Sequence, residues 1–187
     1  MDPILLKILV AAVVAFVISA VIGKFLVPAL RRWKAGQSIK EDGPTWHMSK
    51  QGTPTMGGLM FIAAIGLVTL ILGWSHIRAG DRGGLYVYLF ALVFGAIGFI
   101  DDYMKVVHHE NTGLTAGKKF LLQLSAALLM TVLLRNEHYL IPNLYLPFTN
   151  NVSIPLPWPV YMAFAAFVMV GTVNAVNITD GIDGLSS

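Results

Sequence analysis

Five long apolar segments constrain this chain more than any other feature. They cover residues 4–30, 56–73, 85–100, 120–134 and 158–176, and each approaches the roughly 20 residues that a helix needs to cross the hydrocarbon core of a bilayer. The chain is 56% hydrophobic and only 12% charged over 187 residues, which is more apolar than a typical water-soluble domain. The segments therefore predict an all-α membrane protein, a polytopic bundle of five transmembrane helices in one integral membrane domain.

Composition and charge argue against several other classes of protein. The chain contains no cysteine, so it has neither a disulfide framework nor a thiolate metal site. The first apolar segment is too long for the core of a signal peptide, and we interpret it as a span. The formal charge of +3 is first explained by lysines and arginines that flank the spans. Nucleic acid is therefore a poor candidate partner.

The polar connections between the spans differ in positive charge. Eight lysines and arginines lie in the first and third connections, residues 31–55 and 101–119, whereas three lie in the second and fourth. The positive-inside rule then puts the first and third connections, together with residues 177–187, on the cytoplasmic side, and the N-terminus outside. Because the third and fourth apolar segments are short, we expect both helices to extend into their polar flanks.

The fourth connection, NLYLPFTNNVSIPLPWP, has short β-prone stretches on both sides of Asn150 and Asn151. Asparagines between two such stretches favour a hairpin turn. We therefore expect a small external β-hairpin between the fourth and fifth spans.

Two adjacent carboxylates, Asp101 and Asp102, stand where the third apolar segment stops. A single acid at this place commonly does no more than end a span, but two adjacent carboxylates repel each other. On a helix, Lys105 would lie at i+4 from the first and i+3 from the second, so it neutralises only part of the pair. Paired oxygen ligands at a membrane edge suit Mg²⁺, which prefers carboxylate and phosphate oxygens. The pair is therefore a candidate metal and phosphate site.

A second polar cluster, NAVNITDGIDG, directly follows the fifth span. Its amide and carboxylate side chains recur every third residue, at Asn174, Asn177, Asp180 and Asp183, which keeps successive side chains neighbouring on a helical path. Such residues also cap helix ends. Four of them are more than capping needs, and their side chains offer directional hydrogen bonds to a sugar or a base edge.

Two further stretches on the same predicted side could bind an anion. Residues 49–58, SKQGTPTMGG, combine a glycine-rich turn with Lys50, although glycine and proline are ordinary at the entrance of a span. Residues 111–120, NTGLTAGKKF, carry Lys118 and Lys119, which by default would anchor the fourth span among lipid headgroups. Because these lysines lie on the side of the acids, they could also hold a phosphate.

Together and in this order, these stretches resemble the phospho-N-acetylmuramoyl-pentapeptide transferase family. The motifs are GTPTMGG, GFIDDYMKVV and NAVNITDGIDGL, and the similarity covers nearly the whole chain from GQSIKEDGP onwards. The aspartate pair and DGIDGL occur across the superfamily of polyprenyl-phosphate N-acetylhexosamine-1-phosphate transferases. GTPTMGG with DDYMK points to the muramoyl-pentapeptide branch.

The resemblance implies a Mg²⁺-dependent phosphoglycosyl transferase in the bacterial inner membrane, expected as a homodimer. Such an enzyme transfers phospho-MurNAc-pentapeptide from UDP-MurNAc-pentapeptide to undecaprenyl phosphate on the cytoplasmic face. The products are lipid I and UMP, and the reaction is the first membrane step of peptidoglycan synthesis. Direct attack by the lipid phosphate and a covalent intermediate on a carboxylate both stay open.

The resemblance also assigns roles to single residues. Carried over by motif, Asp101 and Asp102 are the catalytic pair and would hold the metal. The residues that would contact the nucleotide sugar are Lys50, Thr55, Lys105, Lys119, Asn177, Asp180 and Asp183.

The number of spans is where this chain departs from the family pattern. The family has about ten spans, so we interpret the chain, which stops at Ser187 after five, as the N-terminal half of such an enzyme and expect it to be inactive alone.

Within the superfamily, a GlcNAc-1-phosphate transferase would share the acids, but GTPTMGG is not expected there. A membrane transporter would need acids at mid-membrane depth, and the five apolar segments contain none.

Overall fold

The computed structural model describes residues 2–32, 56–108, 113–148 and 152–179. Within these residues the secondary structure consists of five α-helices and one two-stranded sheet. The helices are α1 (Pro3–Arg32), α2 (Gly58–Arg78), α3 (Gly83–His108), α4 (Ala116–Asn136) and α5 (Trp158–Thr179), and the strands are β1 (Asn143–Tyr145) and β2 (Ser153–Pro155). All five helices are long and apolar enough to cross a membrane. The predicted all-α architecture with five spans is confirmed.

Helix α3 is longer than the apolar segment that predicts it. The segment stops at Ile100, but the helix continues through both aspartates to His108. At its other end, the carboxylate of Asp81 accepts a hydrogen bond of 3.1 Å from the N–H of Gly83, which satisfies one of the free donors of the first turn. The aspartate pair therefore lies in the last two turns of a regular helix.

The chain divides into two compact units, residues 1–115 and 116–187. In the first unit, α2 packs against both α1 and α3. Glycines make the contacts close: a Cβ atom on Gly95 of α3 would lie 2.6 Å from Cδ1 of Ile62 in α2, and one on Gly66 of α2 would collide with the ring of Tyr88 in α3. From Ile62 to Gly66 the residue numbers rise along α2, whereas their partners in α3 fall from Gly95 to Tyr88. Helices α2 and α3 are therefore antiparallel. Such small residues let membrane helices approach closely.

The second unit contains α4, the sheet and α5. Strands β1 and β2 pair antiparallel, with Leu144 opposite Ile154, which confirms the predicted hairpin between the fourth and fifth spans. The guanidinium of Arg135, in the last turn of α4, lies 4.3 Å from the centre of the Trp158 ring at the start of α5. This cation–π contact joins the two helices beside the hairpin.

Two buried polar side chains connect α4 and α5 farther along the helices. Gln123 of α4 is 2% exposed, and its Oε1 accepts a hydrogen bond of 2.6 Å from Nδ2 of Asn174 in α5. The same Nδ2 also donates to the carbonyl of Val170, at 2.8 Å. A polar bond between helices stabilises their association where water is excluded.

The close contact at Gly66 yields a stability prediction. Gly66→Leu should destabilise the first unit by about 1–3 kcal/mol, because the added side chain displaces Tyr88 from the α2–α3 contact. Gly73→Leu on the same helix is the matched control, since the nearest atom to its Cβ, Cδ1 of Ile77, is at 3.9 Å. Thermal unfolding in detergent compares the two variants, and equal melting temperatures would contradict the packing described here.

Candidate functional site

The carboxylates of Asp101 and Asp102 share one ammonium group near the end of α3. Nζ of Lys105 lies 2.8 Å from Oδ2 of Asp101 and 3.3 Å from Oδ1 of Asp102. The i+4 and i+3 spacings on a regular helix place the three side chains together, as the sequence predicts. The two aspartates differ in exposure: Asp101 is buried, whereas a third of the Asp102 side chain is exposed.

A backbone group from beyond α3 holds the buried aspartate on its other side. The N–H of Leu114 donates a hydrogen bond of 2.9 Å to Oδ1 of Asp101. The preceding residue, Gly113, lies so close that a Cβ atom on it would stand 2.5 Å from both Oδ1 and the backbone carbonyl oxygen of Asp101. Asp101 lies seven residues before the end of α3. After leaving the helix, the chain thus passes beside this aspartate again at Gly113 and Leu114. Each oxygen of this carboxylate faces its own donor.

These contacts explain how a carboxylate is tolerated in a buried position. An ionised group that is taken out of water needs both an opposite charge and hydrogen bonds. Lys105 supplies the charge for Asp101, and the backbone N–H of Leu114 supplies a second donor. Within the cluster of Asp101, Asp102 and Lys105, two carboxylates face one ammonium. The more exposed carboxylate, Asp102, is the one that a cation from solution can approach.

The donor set of this cluster fits Mg²⁺. The ion prefers hard oxygen ligands and usually takes one or two protein carboxylates, with waters and substrate phosphates as the rest. Asp101 and Asp102 provide that number of carboxylates. No group of three or more histidine and acidic side chains that could enclose a metal is found among the described residues. Two carboxylates of this kind suit a metal ion whose other ligands are waters or phosphate oxygens.

The end of α5 contains two of the residues from the second polar cluster. Asn177 lies in the last turn and is exposed. Asn174, three residues earlier, instead directs its amide toward Gln123 and the Val170 carbonyl, so it packs α5 against α4. Asp180 and Asp183 lie outside the described residues.

The remaining predicted site residues lie on other segments. Lys119 is half-buried in the first turn of α4, in the second unit of the chain. Lys50 and Thr55 lie outside the described residues. The structure thus brings together Asp101, Asp102 and Lys105. Sequence reasoning missed the contacts of Gly113 and Leu114 with Asp101, although both residues belong to the stretch NTGLTAGKKF. The one signal for these contacts was Gly113, because glycine permits a close approach of the backbone.

Two family models match the regions of the chain that contain the predicted motifs. The family model for glycosyl transferase family 4 matches residues 84–187, which include α3 with its aspartate pair and the end of α5. A second model, phospho-N-acetylmuramoyl-pentapeptide-transferase signature 1, matches residues 50–62. That range contains the GTPTMGG motif.

Several curated relatives carry the name phospho-N-acetylmuramoyl-pentapeptide-transferase. The protein of Staphylococcus carnosus (strain TM300) is 45% identical over 182 residues, which are 95% of this chain and 55% of the relative. That of Desulforudis audaxviator (strain MP104C) is 40% identical over 190 residues, 98% of this chain and 57% of the relative. That of Staphylococcus aureus (strain bovine RF122 / ET3-1) is 45% identical over 184 residues, 96% and 56% respectively.

These similarities extend along almost all of the chain, whereas the chain spans little more than half the length of the relatives. The match to the family model covers more than half of the chain and contains the carboxylate pair, its lysine and the Gly113–Leu114 contact. This chain belongs to glycosyl transferase family 4.

Proposed function

We propose that this chain carries part of the active site of a phosphoglycosyl transferase. The reaction moves phospho-MurNAc-pentapeptide from UDP-MurNAc-pentapeptide to undecaprenyl phosphate and yields lipid I and UMP. The carboxylate pair with Lys105 at the end of a membrane-spanning helix is the observation that carries the proposal. A water-soluble nucleotide sugar and a lipid phosphate meet only at the membrane surface, and a charged cluster at a helix end is suited to that place. The relatives' names and signature 1 support the muramoyl-pentapeptide donor.

The chemistry is a phosphoryl transfer between two anions. In the direct-attack route, which stays open beside a covalent intermediate on a carboxylate, an oxygen of the lipid phosphate forms a bond to the sugar-linked phosphorus of the donor. The bond from that phosphorus to the bridging oxygen breaks, and its electron pair leaves with UMP. If the lipid phosphate arrives protonated, its proton passes to a carboxylate. Because both reactants are negatively charged, we expect neutralisation of their charge by metal and lysine to supply most of the catalysis.

The residues of the cluster divide this work according to their exposure. Asp102, with a third of its side chain exposed, is the carboxylate that can meet a substrate group or accept its proton. Asp101 is buried and bonded on both oxygens, so it fixes the local charge and geometry. Lys105 bridges the two carboxylates and lowers their mutual repulsion.

A Mg²⁺ ion, when bound, would be held by Asp101 and Asp102 and would neutralise phosphate charge. Asn177, exposed in the last turn of α5, and Lys119, in the first turn of α4, are assigned to the donor site by motif. Lys50, Thr55, Asp180 and Asp183 belong to the same proposal by motif. Homodimerisation is a further part of it.

The distribution of positive charge supports a location for this reaction. The connections on the side of the aspartate pair carry most of the lysines and arginines, which favours the cytoplasmic face of a bacterial plasma membrane with the N-terminus outside. UDP-linked sugars are cytoplasmic metabolites in the proposed reaction, so this orientation puts the donor and the cluster on one side.

Donor choice tests the proposal directly. A chimera in which residues 1–187 replace the matching part of the Staphylococcus carnosus relative should form labelled lipid I from UDP-MurNAc-pentapeptide and undecaprenyl phosphate, but no labelled lipid from UDP-GlcNAc. Label only from UDP-GlcNAc would move the chain to the GlcNAc-1-phosphate branch. Absence of label from both donors would contradict the proposal, provided that the chimera is folded in membranes and the intact Staphylococcus carnosus protein is active in the same assay.

The aspartate pair gives a second prediction in the same chimera. Asp101→Asn and Asp102→Asn should each lower kcat by about 100-fold or more, because each removes one negative charge from the site that organises metal and phosphate. Glu137→Gln, an exposed acid at the end of α4, is the matched control and should retain activity. Near-normal lipid I synthesis by both aspartate variants would mean that the two residues only end the apolar part of the helix and take no part in catalysis.

A further inference from the structure

The chain returns to Asp101 at Gly113 and Leu114, and Gly113 has no role in the function proposed so far. The N–H of Leu114 donates to the Asp101 carboxylate from thirteen residues away, and Gly113 lies in contact with both the carboxylate and the backbone carbonyl of the same residue. Two successive residues therefore meet one buried acid. This contact fixes where the connection after α3 passes the aspartate pair.

The glycine is required by space and not by backbone conformation. Gly80, with φ of 93°, is the positive-φ glycine of the described residues, so the backbone of Gly113 is one that other residues also adopt. A side chain at Gly113 would instead stand 2.5 Å from the Asp101 carbonyl oxygen, which belongs to the helix backbone, and 2.5 Å from Oδ1. Neither atom can move without changing α3 or the carboxylate. Even one methyl group would push the connection away from Asp101.

Displacement of the connection changes the orientation of the carboxylate. The Leu114 N–H and Lys105 Nζ approach Asp101 on different oxygens, at 2.9 and 2.8 Å, and together they determine the direction of the group. Without the N–H, Oδ1 of the buried carboxylate loses this donor, and the carboxylate is held less firmly in its present direction. Lys105 also contacts Asp102, so the change reaches the exposed carboxylate as well.

We propose that Gly113 is a positioning residue, which acts through Asp101 by letting the Leu114 N–H reach and orient that carboxylate. The inference rests on the proposed function, because the pair must be catalytic for its orientation to matter in turnover. Gly113 itself meets no substrate. Its effect should fall on the rate of the bound complex and leave substrate affinity nearly unchanged.

The first test examines the contact in the 187-residue chain itself, without any assay of activity. Hydrogen exchange in detergent, resolved at the Leu114 amide by mass spectrometry with electron-transfer fragmentation, should show slow exchange that becomes about tenfold faster in Asp101→Ala, which removes the acceptor. An unchanged rate in the variant would overturn the proposed contact. This result stands whether or not any Gly113 variant accumulates in membranes.

The second test measures turnover in the chimera. Gly113→Ala should lower kcat by about 100-fold, as expected for a small misplacement of a catalytic group, while KM for each substrate stays within about threefold. The matched control is Gly117→Ala in the first turn of α4, where an added Cβ has no heavy atom within 4 Å. A kcat of Gly113→Ala within about threefold of the parent would overturn the inference and leave the proposed function intact. An inactive but folded parent chimera would instead count against the function, while the exchange result would still decide the contact.

Discussion

The burial of one charged carboxylate, Asp101, is the constraint on which the rest of the described site depends. A charge in this position is stable only with an opposite charge and hydrogen bonds, and the chain supplies them from two directions. Lys105 comes from the next turn of the same helix, and the Leu114 N–H comes from the connection beyond it. The helical continuation of α3 to Lys105 and the position of Gly113 and Leu114 both serve to hold Asp101. Asp102 is left as the more exposed member of the pair.

The position of this cluster on α3 also explains why a membrane helix can carry it. The apolar part of the helix ends at Ile100, and the charged residues occupy only the turns that follow. Charges at a helix end avoid the high cost that they would meet at the centre of the bilayer. Elsewhere in the first unit, α2 and α3 are packed through close contacts at glycines such as Gly66 and Gly95. The scaffold and the charged site are therefore built from different residues.

Local periodicity predicted much of this structure. The contacts that it did not predict join residues far apart in the sequence. The five helices follow from apolar runs, and the contact of Lys105 with both aspartates follows from i+3 and i+4 geometry. The Leu114–Asp101 bond joins residues thirteen positions apart through a connection without a repeating pattern, so no period reveals it. Likewise, Asn174 has the spacing of a site residue, but its amide meets Gln123, 51 positions away. Polar residues of a membrane protein serve both packing and chemistry, and only the fold distinguishes the two uses.

The position of the donor diphosphate relative to α3 tests the central claim most directly. The measurement is a structure of the chimera in a lipid nanodisc with UDP-MurNAc-pentapeptide and Mg²⁺. The account predicts that an oxygen of the diphosphate lies within about 5 Å of the Asp102 carboxylate, a separation that one shared ion can bridge, while the Leu114 N–H still bonds to Asp101. A diphosphate bound at another part of the protein, with the cluster of Asp101, Asp102 and Lys105 remote from it, would contradict the account.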